Sequence, residues 1–146
     1  MKDVHIVIGV LSLVLNTAAG LWGAWRYWRA EPSRLFWPLL RAGQLAVVVE
    51  AALGGVLELK GPKAPGIHVI YGLLPLLVSF VAEQLRIASA QMVLDSRGFE
   101  SSAEVGQLPE QQQQSLVVSI LLREMGVMTL SAIVVVVLLA RAAGTA

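Results

Sequence analysis

The chain of 146 residues contains no cysteine and only two histidines, and just 14% of its residues are charged. The absence of cysteine excludes disulfides, thiolate metal sites and cysteine catalysis. A soluble domain normally has roughly 25% charged residues, so the deficit argues against an ordinary soluble protein. With a net charge of +1, the chain lacks the basic excess typical of nucleic-acid binding. It has no phosphate-binding loop, nucleophile elbow, catalytic carboxylate pair or zinc-protease motif, so nothing indicates an enzyme by itself.

The sequence is rich in long apolar segments: 56% of its residues are hydrophobic, and they occur in blocks. A bilayer crossing needs about 20 mainly apolar residues, and four segments meet that need. Strands are not expected, since an open sheet cannot satisfy its backbone in lipid. The sequence predicts an all-α, integral membrane four-helix antiparallel bundle that forms a single domain over residues 1–146. The predicted helices are residues 4–28, 34–58, 66–94 and 109–141.

Basic residues predict the orientation of this bundle, because cytoplasmic links of membrane proteins are enriched in lysine and arginine. Seven of the 11 basic residues fall on one face, which we therefore expect to be cytoplasmic. Both termini then lie on the outer side, and we expect the membrane to be a bacterial cytoplasmic membrane. The seven are Arg26, Arg29, Arg34, Arg41, Arg86, Arg97 and Arg123, and the other four are Lys2, Lys60, Lys63 and Arg141.

Two pairs of opposite charges lie near the cytoplasmic ends of the third and fourth predicted helices. Counted from the outer ends, roughly 27 Å of helix brings both pairs to the same depth. We predict crossed ion pairs at the interface, Glu83 with Arg123 and Arg86 with Glu124. Such pairs would neutralise all four charges and hold the two helices together.

Glu50 interrupts the second predicted helix, at a depth where a carboxylate costs about 2.5–3.5 kcal/mol to insert. Small residues flank it at four-residue steps, so its side chain should face the bundle rather than lipid. Asn16 has a similar predicted depth on the first helix, and an Asn16–Glu50 hydrogen bond would satisfy these two buried polar groups. Two interpretations are open: a protonated Glu50 with a structural role, and a Glu50 that relays protons or contacts a partner.

The two histidines each open a long apolar segment, with the similar pentapeptides His5-Ile-Val-Ile-Gly9 and His68-Val-Ile-Tyr-Gly72. One crossing separates them, so both imidazoles should lie at the same membrane face and at a similar depth. Three interpretations are open: two ordinary interfacial residues, two ligands of the iron of haem b, or part of a site for a quinone or lipid head group. For haem, neutral imidazoles supply the ligands, and Gly9 and Gly72 would let the flat macrocycle approach the backbone.

A run of short motifs surrounds the turn between the second and third predicted helices, within residues 44–75. Its residues are Gln44, Leu53, Gly54, Gly55, Pro62, Pro65, Ile67 and His68. In this stretch the chain resembles one four-helix half of the haem A synthase family, in which a histidine begins the helix that follows a proline-containing turn. The resemblance implies that His5 and His68 ligate haem, and it implies a haem-binding module rather than synthase activity.

Two functions follow from these observations. The lack of a catalytic set, the small size and the small-residue faces favour a small non-catalytic subunit of a larger membrane complex, respiratory or electron-transfer in kind. The alternative is a b-type haem-binding electron-transfer module ligated by the two histidines. The expected partners are membrane lipid and other membrane-protein subunits or further copies of this chain, with no nucleic acid.

Overall fold

The structure, a computed structural model, describes residues 1–61 and 63–145. Pro62, one of the residues that carry the resemblance, lies outside the described residues, as does Ala146. In the described part, four helices are long and apolar enough to cross a membrane: α1 (Lys2–Trp28), α2 (Phe36–Lys60), α3 (Gly66–Ser96) and α5 (Glu110–Ala143). A one-turn helix, α4 (Ser102–Val105), lies in the link between α3 and α5, and these residues include no strand. The prediction of an all-helical chain with four apolar helices is confirmed.

The helix ends differ from the predicted ones by about two residues, which is the usual uncertainty at helix termini. The largest local difference is the polar link after α3, which was predicted as a loop and contains α4. Gly98 ends α3 because its φ of 77° lies in the left-handed region, where a side chain is disfavoured. The chain then turns back, and the N–H of Phe99 donates to the carbonyl of Leu94 over 3.0 Å.

Glycines set the packing of α1 against α2. A Cβ added at Gly43 of α2 would lie 3.0 Å from Cγ of Asn16 on α1. A Cβ at Gly23 of α1 would lie only 2.6 Å from the ring of Phe36 on α2. Each glycine therefore leaves room for a larger, fully buried side chain of the other helix. This close approach is the kind that small residues permit between membrane helices.

α5 is the most buried of the four long helices, and α3 is the least buried. α5 packs along α3 on one side and along α1 on the other, whereas α2 and α3 contact each other much less. The main apolar cluster lies where α1, α2 and α5 meet, with Ala82 of α3 at its edge. Its other buried members are Ala19, Phe36, Leu40, Met125, Met128 and Ala132.

Glu83 of α3 is the centre of an ion-pair cluster that joins α2 and α3. Its carboxylate accepts hydrogen bonds from Arg41, from Nε2 of Gln44 over 3.2 Å and from Nε of Arg86 over 2.8 Å. Nη1 of Arg86 also lies 3.9 Å from Oε2 of Glu124 on α5. Of the two predicted crossed pairs, the structure therefore contains the Arg86–Glu124 pair, at a long distance.

The other crossed pair, Glu83 with Arg123, is wrong. Nη2 of Arg123 instead lies 3.2 Å from the sulfur of Met92, while Glu83 is paired with Arg41 of α2. The physical reason is that successive residues of a helix point about 100° apart, so Arg123 and Glu124 do not face the same neighbours.

α3 and α5 are longer than a membrane crossing requires. Their 31 and 34 residues correspond to about 46 and 51 Å, against a hydrocarbon core of about 30 Å. We call residues 87–122, beyond the level of the Glu83 cluster, the α3–α5 extension. It has its own apolar cluster, in which Val93, Leu94 and Leu116 are buried against Phe99, Val105 and Ile120. The guanidinium of Arg97 ties the two helices together by donating to the hydroxyls of Ser119 over 2.8 Å and Ser115 over 3.3 Å.

Candidate histidine–carboxylate site

The two histidines meet at the end of the bundle where α1 and α3 begin. Their ring centroids lie 6.3 Å apart, and the ring planes are inclined by 74°. Nδ1 of His68 is also 2.9 Å from the carbonyl oxygen of Ala142, near the end of α5. The topology deduced from the sequence placed both imidazoles at one level, and the structure brings them within reach of a shared ligand.

Glu50 joins this pair from α2. Its Oε1 lies 3.2 Å from Nδ1 of His5, and the His5 and Glu50 side chains are only 20% and 15% exposed. A Cβ at Gly54 would lie 3.3 Å from Cε1 of His5, and a Cβ at Gly9 would lie 2.7 Å from Oε1 of Glu50. The contact is thus reciprocal, because each helix places a glycine opposite the polar side chain of the other.

The His5–Glu50 contact was missed by reasoning from the sequence, although a signal for it was present. His5 and Gly9 are four residues apart on α1, and Glu50 and Gly54 are four residues apart on α2. Residues at this spacing lie one above the other on a helix face. Two such pairs, each with a polar residue and a glycine, fit together when the helices run in opposite directions.

The predicted Asn16–Glu50 hydrogen bond is wrong. Asn16 is buried opposite Gly43, and its Nδ2 donates to the carbonyl of Ser12 over 2.8 Å. Gly43 and Glu50 are seven residues apart, which is about 10 Å along a helix. The prediction compared depths counted from the helix ends, which do not show how far α1 is displaced along α2. It therefore paired Asn16 with the wrong turn of α2.

Two polar atoms of the site are buried without a hydrogen-bond partner among residues 1–61 and 63–145: Nδ1 of His5 and Oε2 of Glu50. The 3.2 Å approach of His5 to Glu50 suits an ionic contact, but its direction does not meet the requirements of a hydrogen bond. A buried polar group without a partner costs about 1–3 kcal/mol. The histidine–carboxylate cluster is therefore the least satisfied polar cluster of the bundle and the best candidate for a functional site.

The donor set of this cluster fits a metal ion held by two imidazoles. Metal-bound histidines usually turn their second ring nitrogen towards a carboxylate or a backbone carbonyl. Nδ1 of His5 faces Glu50, and Nδ1 of His68 faces the Ala142 carbonyl, which leaves Nε2 of each ring for a ligand. Two imidazoles on opposite sides of one metal, with bonds of about 2 Å, have centroids about 6 Å apart. The ring centroids of His5 and His68 are 6.3 Å apart, which leaves room for such an arrangement.

The two glycines predicted to lie against a haem macrocycle differ in their surroundings. Gly72 has no heavy atom within 4 Å of where its Cβ would stand, so its backbone is open to a flat group. At Gly9 the same space is taken by the carboxylate of Glu50. Gly9 therefore does not have the open surface that was predicted for it, and the role of Gly72 stays a prediction. Among residues 1–61 and 63–145, no group of three or more His, Cys, Asp or Glu side chains could hold a metal ion.

No family model matches this chain, and neither a curated protein nor a solved structure matches it. The resemblance to the haem A synthase family therefore remains a prediction from the residues between 44 and 75.

Proposed function

We propose that the chain is a small non-catalytic integral membrane subunit of a larger membrane complex, respiratory or electron-transfer in kind, in a bacterial cytoplasmic membrane. The observation that carries this proposal is the α3–α5 extension. A four-helix bundle needs only about 20 residues per helix to cross the bilayer. The extension has a separate apolar cluster, and Arg97 joins its two helices by hydrogen bonds, so it is an ordered element with its own packing. Such an element offers a partner a packed surface beyond the level of the Glu83 cluster.

The proposal includes an antiparallel bundle with both termini on the outer side. Contacts between early residues of one helix and late residues of the next support it, as antiparallel neighbours require. His5 lies opposite Gly54 and Gly23 lies against Phe36, so the beginning of α1 is next to the later part of α2, and the end of α1 is next to the beginning of α2. His68 and Ala142 give the same pattern for α3 and α5. The excess of arginine at the other end of the bundle supports the orientation.

A double substitution on the exposed face of the α3–α5 extension tests whether a partner binds there. Gln111 and Gln112 are exposed in the first turn of α5. Changing both to Arg should release the chain from its complex when native membranes are separated by size in a mild detergent, without changing its melting temperature. Lys60→Glu, an exposed change at the other end of the bundle, is the matched control and should leave the complex intact. A paired variant that stays in the complex as fully as the control would refute docking through this face.

A second candidate function, a b-type haem-binding electron-transfer module, is favoured by the ring spacing of His5 and His68 and by the oxygen that faces Nδ1 of each ring. In such a module the two histidines would hold the iron, and the bound haem would supply one-electron chemistry. Glu50 and the Ala142 carbonyl would fix the orientation of the rings. Gly72 would leave the backbone open on one side.

A reduced-minus-oxidised spectrum of the protein purified from haem-replete cells tests the second candidate. His5→Ala and His68→Ala should each abolish the b-type bands while the helical signal is kept. Gly55→Ala should retain the bands, because nothing lies within 4 Å of the added Cβ. A colourless wild-type protein would rule the haem module out and leave the subunit proposal unaffected.

A further inference from the structure

A second polar feature lies at the opposite end of the bundle from the histidines, between the α1–α2 link and α5. It is a cavity of about 290 Å³ that is open to the surroundings on one side. Its lining is amphipathic, with one cation, one hydroxyl and an apolar wall. The lining residues are Pro32, Ser33, Arg34, Trp37, Leu121 and Met125.

Hydrogen bonds and ring contacts fix the walls of this cavity. Nε1 of Trp22 donates to the hydroxyl of Ser33 over 2.9 Å, which ties the link to α1. Trp37 packs edge-on against the ring of Phe36 at a centroid distance of 5.3 Å, and Phe36 is fully buried. The backbone and the aromatic wall are therefore in place before anything binds.

The charge around the cavity is positive. Glu31 is the carboxylate of the link, and it lies 2.8 Å from Nη1 of Arg26 and 3.7 Å from Nη2 of Arg29. With Arg34 this group holds three cations and one anion, a net charge of +2 by that sum. Glu31 is shared by Arg26 and Arg29, whereas Arg34 is exposed at the cavity wall, where its charge can meet an anion.

Exposed tryptophans stand next to the α1–α2 link that lines the cavity. Trp25 and Trp28 stand at the end of α1, and they are 45% and 82% exposed. Exposed tryptophans are typical of the membrane interface, where an indole has an apolar ring and a polar N–H. Arg34 therefore lies at an end of the bundle that has the composition of a membrane interface, where lipid phosphates are found.

From these features we propose that the cavity binds one anionic phospholipid, with its phosphate at Arg34 and the upper part of an acyl chain against Leu121 and Met125. The guanidinium recognises phosphate because it presents two parallel N–H donors. The cavity volume, about 290 Å³, is just below the usual range for ligand pockets, about 300–1,000 Å³. The cavity therefore suits the head-group end of a lipid, whose remaining chain length stays in the bilayer.

Native mass spectrometry of the detergent-solubilised protein, titrated with phosphatidylglycerol or phosphatidylcholine, tests this site. The wild-type protein should retain one phosphatidylglycerol in preference to phosphatidylcholine. Arg34→Gln should lower phosphatidylglycerol affinity roughly tenfold, which corresponds to one charge-assisted hydrogen bond at its lower limit. Arg141→Gln removes the same charge at the other end of the bundle, where Arg141 lies over the Tyr71 ring, and should have no effect.

Leu121→Trp provides a second measurement that leaves the charge unchanged. The larger ring of Trp should fill the cavity and displace the bound lipid. If Arg34→Gln does not fold, the proposal is tested with Leu121→Trp alone. Equal retention of both lipids by the wild-type protein would overturn the proposal. So would an equal loss in Arg34→Gln and Arg141→Gln, since that would indicate a general attraction without a site.

Discussion

Replacing Gly23 with alanine perturbs the place where α1 meets both α2 and α5. The added Cβ would lie 2.6 Å from Cε2 of Phe36 and would also overlap the hydroxyl of Thr129. Phe36 is 0% exposed and Thr129 is 6% exposed, so neither side chain has free space to move into. The helices must therefore separate by a few tenths of an ångström, or a buried side chain must leave its rotamer.

The expected magnitude follows from two opposing effects. Overpacking a well-packed site costs about 1–3 kcal/mol. Alanine is favoured over glycine within a helix by about 0.5–1 kcal/mol, which offsets part of that cost. We expect Gly23→Ala to lower the free energy of unfolding by up to about 2.5 kcal/mol, and to be about 1–3 kcal/mol less stable than a variant that gains the helix preference without the overlap. Gly55→Ala is the matched control, because nothing lies within 4 Å of its Cβ, and it should be as stable as the wild-type protein or slightly more stable.

The assay is reversible unfolding in mixed micelles by a denaturing detergent, followed by the far-ultraviolet circular dichroism of the helices. Both variants remove a glycine from a long apolar helix, so the difference between them reports packing alone. If Gly23→Ala proved as stable as Gly55→Ala, the close approach of α1 to Phe36 and Thr129 would be refuted.

Three further predictions concern the charged groups and the topology. Glu83→Gln should destabilise the bundle by about 1–3 kcal/mol, because it removes the carboxylate of Arg41 and the nearer of the two carboxylates of Arg86, whereas Arg123→Gln in the same unfolding assay should cost much less. Glu50→Gln keeps the shape that fills the space over Gly9, so it should change the free energy of unfolding by less than about 1 kcal/mol. A parent complex that assembles normally with Glu50→Gln but loses activity would show that this carboxyl carries protons. A reporter that is active only in the cytoplasm, fused after residue 145, should be silent, and strong activity there would reverse the proposed orientation.

The sequence was sufficient to predict the four long helices, because insertion into lipid depends on local composition and length. Each predicted apolar segment corresponds to one helix, although the ends differ by about two residues. The short helix α4 could not be foreseen, since its four residues have no apolar periodicity and depend on the packing of Val105 against Leu94 and Leu116.

The positions of the helices along one another could not be predicted from composition, and this limited what could be said of the site. That His5 and His68 lie at the same end of the bundle followed from counting crossings, which requires no detail of packing, but their close approach did not. Which residue of α1 contacts Glu50 depends on how α1 is placed along α2. The predicted placement was wrong by seven residues of α2, and the actual one brings glycines opposite Asn16, His5 and Glu50. The Arg41–Glu83 pair was missed for a similar reason, because charges were paired by depth without regard to the helix face on which each one stands.

The central claim is that this chain works as a subunit of a larger membrane complex. Its most direct test is quantitative mass spectrometry of the assemblies that native membranes release in a mild detergent, separated by size. The chain should occur in fractions far above its own 15.6 kDa, in a constant ratio to the same set of other membrane proteins in every such fraction. A chain that migrates alone, or only with further copies of itself, would contradict the claim.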